Sequence, residues 1–420
     1  MNHPKVAIVG SGPSGCYAAQ FIRKYWEFAE ISIFEALPVP YGLARYGIAA
    51  DHQGNKSIIK QFDRLFEREN VNFIGHITIG KDVSIEQLKS HFDYVIQATG
   101  LFKDKTLPIP IDAEACLLGA GNLLRLINSC PISLVPEFNN AYGNLGKEIA
   151  IIGAGNVALD VARLLTKTPE DLNGSDVNDT FLNHVRPQPL NTIHIINRSD
   201  LSMAKFDLSM FKELVHLPQA SIRIDGITDV SHPLIQLIEQ QTKPSINQQV
   251  TEIIFHFNHI PQCIKKIGEK TQLNITESAF HTSNHLCVDT LITAIGFEGQ
   301  QCLQHQKDPS LIQVGWFKRG SVGTVADNRK DTKNVIDELI AAYEAHPVKF
   351  EKEGLKAIKP FLPAYIVNFN DWKSIEAYER LTANANRCRN KVTNIRQMLN
   401  VIEKSRQHHQ LPDLPMTTIA

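Results

Sequence analysis

The chain has 420 residues, of which 43% are hydrophobic and 21% are charged, and its 43 basic and 44 acidic side chains give a formal net charge of -1. This length predicts two domains, or one domain inserted in another, and the charge balance excludes a whole-molecule attraction to nucleic acid or acidic lipid. Because no run reaches the roughly 18 to 20 apolar residues of a membrane span, we expect a soluble protein with no membrane span.

The first predicted unit has the order strand, glycine turn, helix, strand. Its elements are a strand at residues 6–9, a turn at 10–15, a helix at 16–25 and a strand at 31–34. The second strand ends at Glu35, about 20 to 25 residues after the glycines, where a ribose-binding acid is expected. A further buried strand, residues 93–99, is closed by Gly100, which is another candidate cofactor contact. These elements predict a nearly complete mononucleotide-binding unit.

The turn of this unit is a candidate pyrophosphate site. Its candidate contacts are Gly10, Gly12, Pro13, Ser14 and Gly15. Glycines at a helix N-terminus let backbone N–H groups approach a pyrophosphate closely, and the helix dipole adds to the attraction. The motif alone is a weak signal, because such turns also occur for structural reasons. The preceding strand and Glu35, whose carboxylate is placed to accept from ribose hydroxyls, strengthen it into a predicted dinucleotide site.

A second unit repeats this order further along the chain. Its elements are a strand at residues 148–152, a turn at 153–158, a helix through Leu165 and a late strand at 192–196. The candidate cofactor contacts in the turn are Gly153, Gly155, Asn156 and Val157. Ala158 takes the last motif position, which is allowed where helix and strand still pack closely. Residues 166–190 are expected to form an inserted loop or short helix.

The end of the strand at 192–196 indicates which pyridine nucleotide the second site prefers. Asn197, Arg198 and Ser199 follow the strand, and no acid ends it. An arginine there can pair with a 2'-phosphate that an acid would repel, so Arg198 favours NADPH over NADH. The alternative is a surface arginine without this role, and the nearby Asp200 would oppose phosphate binding.

The remaining elements complete the chain. Residues 228–282 suit an antiparallel extension of the second domain, residues 288–294 a strand, and residues 329–344 a helix. The tail from Lys349 is Lys-rich and is expected to be mostly helical, with Asp371 and Trp372 at a helix N-cap.

The seven cysteines are scattered, without any Cys-x-x-Cys pair: Cys16, Cys116, Cys130, Cys263, Cys287, Cys302 and Cys388. Their spacing excludes iron-sulfur and zinc clusters, and also the dithiol with which disulfide reductases carry electrons beyond a flavin. No metal site is predicted. Reduced thiols, and a first strand that begins only a few residues after Met1 without a signal peptide, predict a cytoplasmic protein.

Two dinucleotide sites in one chain have a chemical use. A hydride that leaves NADPH in the second site needs an acceptor ring, and FAD in the first site is that acceptor. We predict an α/β fold with two Rossmann-like dinucleotide-binding domains, the NADP-binding domain inserted into the FAD-binding domain. The predicted boundaries are 1–104 for the first part of the FAD-binding domain, 105–290 for the NADP-binding domain, and 291–420 for the second part with the helical tail.

Four stretches match one known family in the same order. They are residues 40–52 with Lys56, residues 153–163, residues 315–325, and Asp371-Trp372 ahead of residues 376–379. The first, Pro-Tyr-Gly-Leu-Ala-Arg-Tyr-Gly-Ile-Ala-Ala-Asp-His, is the most specific. On these motifs the sequence resembles, over nearly its whole length, the adrenodoxin reductase family of ferredoxin-NADP reductases, within the glutathione-reductase-like flavoprotein class.

The resemblance implies roles for individual residues. FAD would be lined by Gly10, Gly12, Gly15, Glu35, Gly42 and Leu43, with Trp316, Gly323, Thr324 and Val325 closing over the flavin ring, and NADP by Gly153, Asn156, Val157 and Arg198. His52 and Glu213 match polar residues near the nicotinamide in the family, where they steer hydride transfer or proton balance; Glu213 is also a candidate cofactor contact. The alternatives are a structural histidine and a solvated glutamate.

The chain departs from the family pattern at three places. Asn197-Arg198 stands where the family has Arg-Arg, which predicts a softened preference for NADPH. An apparent one-residue insertion within 201–206, and Met210 in place of a glutamate, alter the loop on the nicotinamide side. Residues 386–391 replace a Gly-Arg-Pro-Arg pattern and keep its basic character.

The implied electron acceptor is a small acidic iron-sulfur protein of the ferredoxin type, which would dock on a basic surface near the flavin edge. The candidate docking residues are Arg387, Arg389, Lys391, Lys318 and Arg319, and their alternative is an ordinary solvated face. Two other function classes stay open: an NADPH-dependent flavin monooxygenase or diaphorase-type enzyme with a different acceptor, and a nucleotide-sensing module without catalysis.

Overall fold

The computed structural model describes residues 3–131, 144–186, 189–225, 232–240, 250–278, 282–299 and 308–410. The strands are β1 (Lys5–Val9), β2 (Glu30–Glu35), β3 (Val71–Gly75), β4 (Tyr94–Gln97), β5 (Lys103–Asp104), β6 (Leu117–Gly119), β7 (Glu148–Ile152), β8 (Thr192–Ile196), β9 (Ala220–Asp225), β10 (Thr251–His256), β11 (His259–Ile267), β12 (Lys270–Glu277), β13 (Thr282–Val288), β14 (Thr290–Thr293), β15 (Phe297–Glu298) and β16 (Leu311–Gln313). The α-helices are α1 (Pro13–Tyr25), α2 (Gly42–Tyr46), α3 (Gln53–Lys56), α4 (Ile58–Arg68), α5 (Ile85–His91), α6 (Ala120–Ile127), α7 (Asn156–Thr166), α8 (Asp179–Val185), α9 (Leu208–Val215), α10 (Pro233–Glu239), α11 (Trp316–Arg319), α12 (Val325–Ala345), α13 (Leu355–Ile358), α14 (Phe369–Leu381) and α15 (Ile395–Gln410).

The chain divides into two compact units. The first unit consists of Met1–Ile48, His52–Leu101 and Gly299–Ala420, and the second of Ala49–Asp51 and Phe102–Glu298. The second unit is thus inserted in the sequence of the first. Its end at residue 298 differs from the predicted boundary at 290 because β14 pairs in parallel with β7 and β6 of the second unit.

Five parallel strands form the sheet of the first unit, in the order β16-β4-β1-β2-β3. The inner residues of β1 and β2 are all buried, which is typical of parallel strands that are covered on both faces. The direction of strand order reverses at β1, whose neighbours are β4 and β2. The carboxyl end of β1 is therefore the switch point at which open α/β sheets bind ligands.

Six parallel strands form the main sheet of the second unit, in the order β6-β14-β7-β8-β10-β9. β7 lies between β14 and β8, just as β1 lies between β4 and β2. A separate three-stranded antiparallel sheet, β11-β12-β13, belongs to the same unit. Ile264 and Leu273 of that sheet pack with Ala150 and Ile152 of β7 in one buried cluster. The parallel sheets of the two units thus have the same arrangement around an inner strand, with a switch point at β1 in the first unit and another at β7 in the second.

Most of the expected elements are present, and two of them differ from the expectation. The α/β class with two Rossmann-like parallel sheets is confirmed, and the strands predicted at 148–152 and 192–196 have those bounds. The antiparallel extension is confirmed for β11 to β13 but is wrong for β10, which pairs in parallel with β8 and β9. The N-cap predicted at Asp371 is also wrong. Asn368 caps α14, and Asp371 is its capping-box partner inside the helix.

Among the described residues, no helix combines the length and the apolar character needed to cross a lipid bilayer.

Candidate functional site

The glycine turn after β1 has a shape that other residues cannot adopt. Gly10 has φ +102°, and a Cβ there would lie 2.6 Å from the carbonyl oxygen of Ala98, which follows β4. A Cβ on Gly15 would lie 2.0 Å from the carbonyl oxygen of Gly10. A Cβ on Gly12, in contrast, would meet no atom within 4 Å. The turn is therefore packed on the protein side and open at Gly12, as backbone approach to a ligand requires.

The turn after β7 repeats this arrangement. Gly153 has φ +112°, and its Cβ would lie 2.4 Å from the carbonyl oxygen of Ala294, which follows β14. A Cβ on Gly155 would meet no atom within 4 Å. Ala158, which stands where the first turn has Gly15, is completely buried. The second turn thus offers the same open position at the end of the central strand of its own sheet.

Both turns lead into helices whose first N–H groups are available. Gly12 is the N-cap of α1 and Gly155 the N-cap of α7, so neither helix has a capping side chain, and neither carries an acid in its first turn. Pro13 at the start of α1 lacks an N–H, which is tolerated there because that group has no partner inside the helix. Uncapped N–H groups and the positive end of the helix dipole attract an anion such as a pyrophosphate. The residues present at both turns fit that group.

The residues after the second strand of each unit are equivalent. The N–H of Gly10 donates to the carbonyl oxygen of Phe34 at 2.8 Å, and the N–H of Gly153 donates to that of Ile196 at 2.8 Å. Glu35 and Asn197, the next residues, therefore occupy the same position. The structure places the predicted ribose acid in the first unit and an amide in the second.

Glu35 is held in a fixed orientation. Its Oε2 accepts from the N–H and the hydroxyl of Ser11 at 3.0 and 2.6 Å, and its Oε1 accepts from the N–H of Leu37 at 3.1 Å. A carboxylate has about four acceptor sites, so it retains the capacity to accept from ribose hydroxyls. Sequence reasoning did not single out Ser11, although its place inside the glycine motif was the available signal.

The predicted flavin-side residues of the first unit lie around the same turn. A Cβ on Gly42, the first residue of α2, would lie 3.2 Å from the Cα of Gly12. A Cβ on Gly315, which precedes Trp316, would lie 2.0 Å from the hydroxyl of Ser14 in α1. Both segments therefore approach the glycine turn closely. At Gly315 a side chain has no room, and Gly42 combines a tight approach with a positive φ of +46°, which favours glycine. Gly315 begins the family stretch 315–325, which indicates no role for it, and its close packing on Ser14 is visible only in the structure.

The other predicted residues of this group have varied surroundings. Leu43 and Trp316 are partly buried, and the indole N–H of Trp316 donates to the carbonyl oxygen of Val322 at 3.2 Å. Gly323 lines an open pocket of about 400 Å³, and Thr324 caps α12 in a capping box with Asp327, directly before Val325. A Cβ on Gly100, at φ +66°, would meet no atom within 4 Å.

Tyr41 belongs to the most specific family stretch, residues 40–52, but the sequence did not indicate its role. It is completely buried with φ +84°, a conformation that is rare outside glycine, and its N–H donates to the carbonyl oxygen of Ser11 at 3.1 Å. Its phenol donates a hydrogen bond to Asp63. Strain of this kind persists where the surrounding structure fixes it, and here it directs the chain into α2 beside the glycine turn.

In the second unit, Asn156 is already engaged with a neighbouring helix. Its side-chain N–H donates to Asp207 Oδ2 at 2.7 Å, and its Oδ1 accepts from the N–H of Asp207 at 2.7 Å. Asp207 is the N-cap residue of α9. Asn156 therefore joins the second glycine turn to the start of the helix that carries Glu213, while its neighbour Val157 is partly buried. Arg198 is exposed, next to Asn197, whose Oδ1 accepts from the N–H of Ser199 at 3.4 Å.

Glu213 belongs to a charge network in the second unit. Its Oε1 lies 3.1 Å from Arg163 and 3.5 Å from Lys167. Arg163 is almost completely buried and also binds Asp51 and Asp160. His52, the other predicted catalytic residue, is partly buried at the N-cap position of α3 and belongs to the first unit.

The pKa of Asp51 makes this network sensitive to acid. Burial alone would raise this pKa, but hydrogen bonds and charge from Arg163 and Lys167 lower it from 3.8 to about 2. Because the folded-state pKa is the lower one, Asp51 contributes stability that is present above 3.8 and lost as the pH falls towards 2.

We therefore expect Asp51→Asn to lower the free energy of unfolding by about 2 kcal/mol near neutral pH, and the gap to the wild type to shrink below pH 4. Urea denaturation followed by circular dichroism at several pH values measures this gap. Asp337→Asn, in the half-exposed pair of Lys333 and Asp337, is the matched control and should change stability little at any pH. A gap for Asp51→Asn that is the same at pH 7 and pH 3 would contradict the prediction.

The expected docking patch needs correction. Lys391 is buried and donates to the carbonyl oxygen of Arg45 at 3.0 Å, so it is wrong as a docking residue. Arg389 lies 3.4 Å from Glu376, and Arg319 donates to backbone oxygens and to a neighbouring amide of its own unit. Both arginines thus interact with groups of their own unit, and the sequence did not indicate which groups these are. Lys318 is exposed and Arg387 partly exposed, and both stay predictions.

Six cysteines lie in the described residues, and none of them is in a disulfide there: Cys16, Cys116, Cys130, Cys263, Cys287 and Cys388. Cys302 lies outside the described residues. Cys16, in the helix after the first glycine turn, is completely buried, and burial raises the pKa of its thiol well above the usual value. A thiol of this kind is a poor nucleophile, because the thiolate is the reactive form.

The chain is similar to known reductases over nearly its whole length. It is 36% identical to the cindoxin reductase of Citrobacter braakii, over 98% of this chain and 93% of that protein. It is 26% identical to the mitochondrial NADPH:adrenodoxin oxidoreductase of Arabidopsis thaliana, over 89% and 90% of the two chains. The solved structure of Mycobacterium tuberculosis FprA in complex with NADPH superposes with a TM-score of 0.82 at 27% identity, over 96% of this chain and 100% of that one.

These relatives confirm the family resemblance inferred from the motifs. The model of the family described as pyridine nucleotide-disulphide oxidoreductase matches residues 4–335, which include both glycine turns. The chain therefore belongs to the pyridine nucleotide-disulphide oxidoreductase family.

Proposed function

We propose that the protein is a flavoenzyme that passes electrons from NADPH through FAD to a ferredoxin-type iron-sulfur protein. The observation that carries the proposal is the duplicated turn, open at Gly12 in the first unit and at Gly155 in the second. A protein that binds one dinucleotide needs one such turn. Two of them suit a donor and an acceptor that exchange a hydride.

The first unit is the proposed FAD-binding unit. The N-terminus of α1 holds the pyrophosphate, and Glu35 accepts from the ribose hydroxyls. Gly42 and Gly315 bring α2 and the segment of Trp316 against the turn. FAD, when bound, supplies a ring that accepts two electrons together and releases them one at a time. The residues of the chain bind and orient this group.

The second unit is the proposed NADPH-binding unit. The N-terminus of α7 holds its pyrophosphate, and Arg198 pairs with the 2'-phosphate. Asn197, at the position of Glu35, brings no negative charge to the ribose. Glu213 is held by Arg163 and Lys167. Glu213 and His52 stay the proposed polar residues near the nicotinamide, where they would steer hydride transfer or proton balance.

The external acceptor follows from the cysteines and from the relatives. The sequence has no Cys-x-x-Cys pair, which is the dithiol that disulfide reductases use to carry electrons beyond the flavin. The relatives include proteins named NADPH-ferredoxin reductase and NADPH:adrenodoxin oxidoreductase. Both supports favour a separate iron-sulfur protein as the electron acceptor. The cytoplasmic location stays a prediction from the sequence.

Three measurements on the purified protein test the proposal. FAD should be released on denaturation, NADPH should bleach the flavin under anaerobic conditions, and cytochrome c should be reduced rapidly only when a ferredoxin is added. Protein that cannot bind FAD would overturn the proposal. Fast oxygen consumption that depends on an organic substrate, without stimulation by any ferredoxin, would instead identify a monooxygenase, and FAD that NADPH cannot bleach would identify a nucleotide sensor.

A further inference from the structure

The loop after β8 carries an acid two residues after Arg198, the proposed ligand of the 2'-phosphate. Asp200 follows Asn197, Arg198 and Ser199, and its charge has the same sign as a phosphate. A carboxylate that is free to turn towards the nucleotide would repel the 2'-phosphate and accept from ribose hydroxyls, so it would favour NADH. The orientation of Asp200 therefore bears on nucleotide preference.

The structure shows how the Asp200 carboxylate is held. Its Oδ1 accepts from the N–H and the hydroxyl of Ser202 at 2.9 and 2.7 Å, and its Oδ2 accepts from the side-chain N–H of Asn258 at 3.3 Å. Asp200 thereby caps the short helical turn Leu201–Met203. The hydrogen bonds from Ser202 and Asn258 lower the pKa of Asp200, so they hold the ionised form. Both oxygens of the carboxylate are thus directed at protein donors.

Asn258 is fixed in turn by the backbone around it. It lies between β10 and β11 with φ +61°, and its N–H donates to the carbonyl oxygen of Ser199 at 3.2 Å. The N–H and the hydroxyl of Ser278 donate to its carbonyl oxygen at 2.8 and 2.9 Å. The loop itself is tied to the same turn, since the N–H of Asn197 donates to the carbonyl oxygen of His256 at 2.8 Å. The antiparallel sheet thus positions a side chain against the loop that carries Arg198.

We propose that Ser202 and Asn258 are specificity-determining residues, which preserve a preference for NADPH by holding the Asp200 carboxylate away from the nucleotide. The inference rests on the proposed function, in that the second unit binds the pyridine nucleotide. It gives the antiparallel sheet a role in recognition without direct contact to the ligand. It also explains how Arg198 alone can bind the 2'-phosphate although Asp200, which has a negative charge, lies two residues away.

The test releases Asp200 without straining the turn. Ser202→Ala combined with Asn258→Gly removes two of the three hydrogen bonds to the carboxylate, those from the Ser202 hydroxyl and the Asn258 amide, and glycine accepts the positive φ of residue 258. The N–H of residue 202 persists in this variant, so the decisive losses are the hydroxyl and the amide. Dissociation constants of the FAD-loaded protein for NADP+ and NAD+ are measured by calorimetry at low and high salt. We expect NADP+ binding to weaken about fivefold at low salt, less at high salt, and NAD+ binding to change little.

Two further variants make the result specific. Adding Asp200→Asn to the pair should restore the ratio of the two dissociation constants, because the repelling charge is gone. Ser278→Ala removes a hydroxyl contact to the same turn without touching Asp200, and it should leave the ratio unchanged. An unchanged ratio in the paired variant, equal weakening of both nucleotides, or no rescue by Asp200→Asn would overturn the inference. Wild-type protein that binds FAD but neither nucleotide would overturn the proposed function itself.

Discussion

Protein that carries Gly12→Val is expected to fold normally and to be purified without FAD. The substitution places two methyl groups in the open space at the N-terminus of α1, where no protein atom lies within 4 Å of a Cβ. The protein has room for them, and the backbone at Gly12, with φ -67° and ψ 179°, is one that valine adopts readily. The proposed pyrophosphate has no such room, because it must approach the same N–H groups.

The expected loss of FAD affinity is large. Each hydrogen bond from a helix N–H to a charged phosphate contributes about 1.5 to 3 kcal/mol, and valine disturbs several of them. We expect the affinity for FAD to fall at least about 100-fold, which corresponds to about 3 kcal/mol. Flavin absorbance of the purified protein and titration of the apoprotein with FAD measure this change.

The stability of the Gly12→Val protein is the control for folding. Its thermal unfolding should match that of wild-type protein from which FAD has been removed, because a ligand that binds only the folded state stabilises it, and neither protein has that ligand bound. A variant that retains FAD with wild-type affinity would show that α1 does not hold the cofactor. A variant that is unfolded would show that the space at Gly12 is needed by the fold.

Local pattern was enough to predict the elements that build the two turns. The strands at 148–152 and 192–196 were apolar runs bounded by a glycine turn and by polar residues, and such signals lie within a few residues of each other. The position of Glu35 could be predicted for the same reason, since it ends the strand that follows the first turn. Glu35 and Asn197 occupy equivalent positions, at the end of the second strand of each unit, because the two units repeat one motif.

Contacts between distant segments were beyond that reasoning. β10 is almost continuously buried and lies between β8 and β9, which both precede it in the chain. Its parallel pairing with these strands is a contact between distant segments, and the expected antiparallel arrangement is therefore wrong. The pairing of Arg163 with Asp51, of Lys391 with the backbone of Arg45, and of Asp200 with Asn258 joins residues far apart in sequence. The charge of a residue does not identify which distant residue it will contact in the folded chain. Lys391 was predicted as a docking residue because it lies in a basic stretch of the sequence, but it is buried and therefore cannot contact a partner protein.

Gly155→Val is expected to have the converse effect to Gly12→Val. It fills the open position of the second turn, where a Cβ also meets no atom within 4 Å, and Gly155 has an extended backbone with φ -100° and ψ -177°. The protein should be yellow with bound FAD, because the first turn is untouched. It should bind NADP+ at least about 100-fold more weakly, and NADPH should reduce its flavin correspondingly slowly at low concentration.

The pair of variants separates the two proposed sites, because each is the matched control of the other. The same substitution is made at the N-cap of a helix in both, so a general cost of valine at that position would appear in both proteins equally. Photoreduction of the Gly155→Val flavin, with transfer to ferredoxin and cytochrome c, should proceed as in the wild type, since that half of the reaction needs no pyridine nucleotide. If Gly155→Val also lost FAD, or if NADPH reduced its flavin at the wild-type rate at every concentration, the assignment of one nucleotide to each turn would fail.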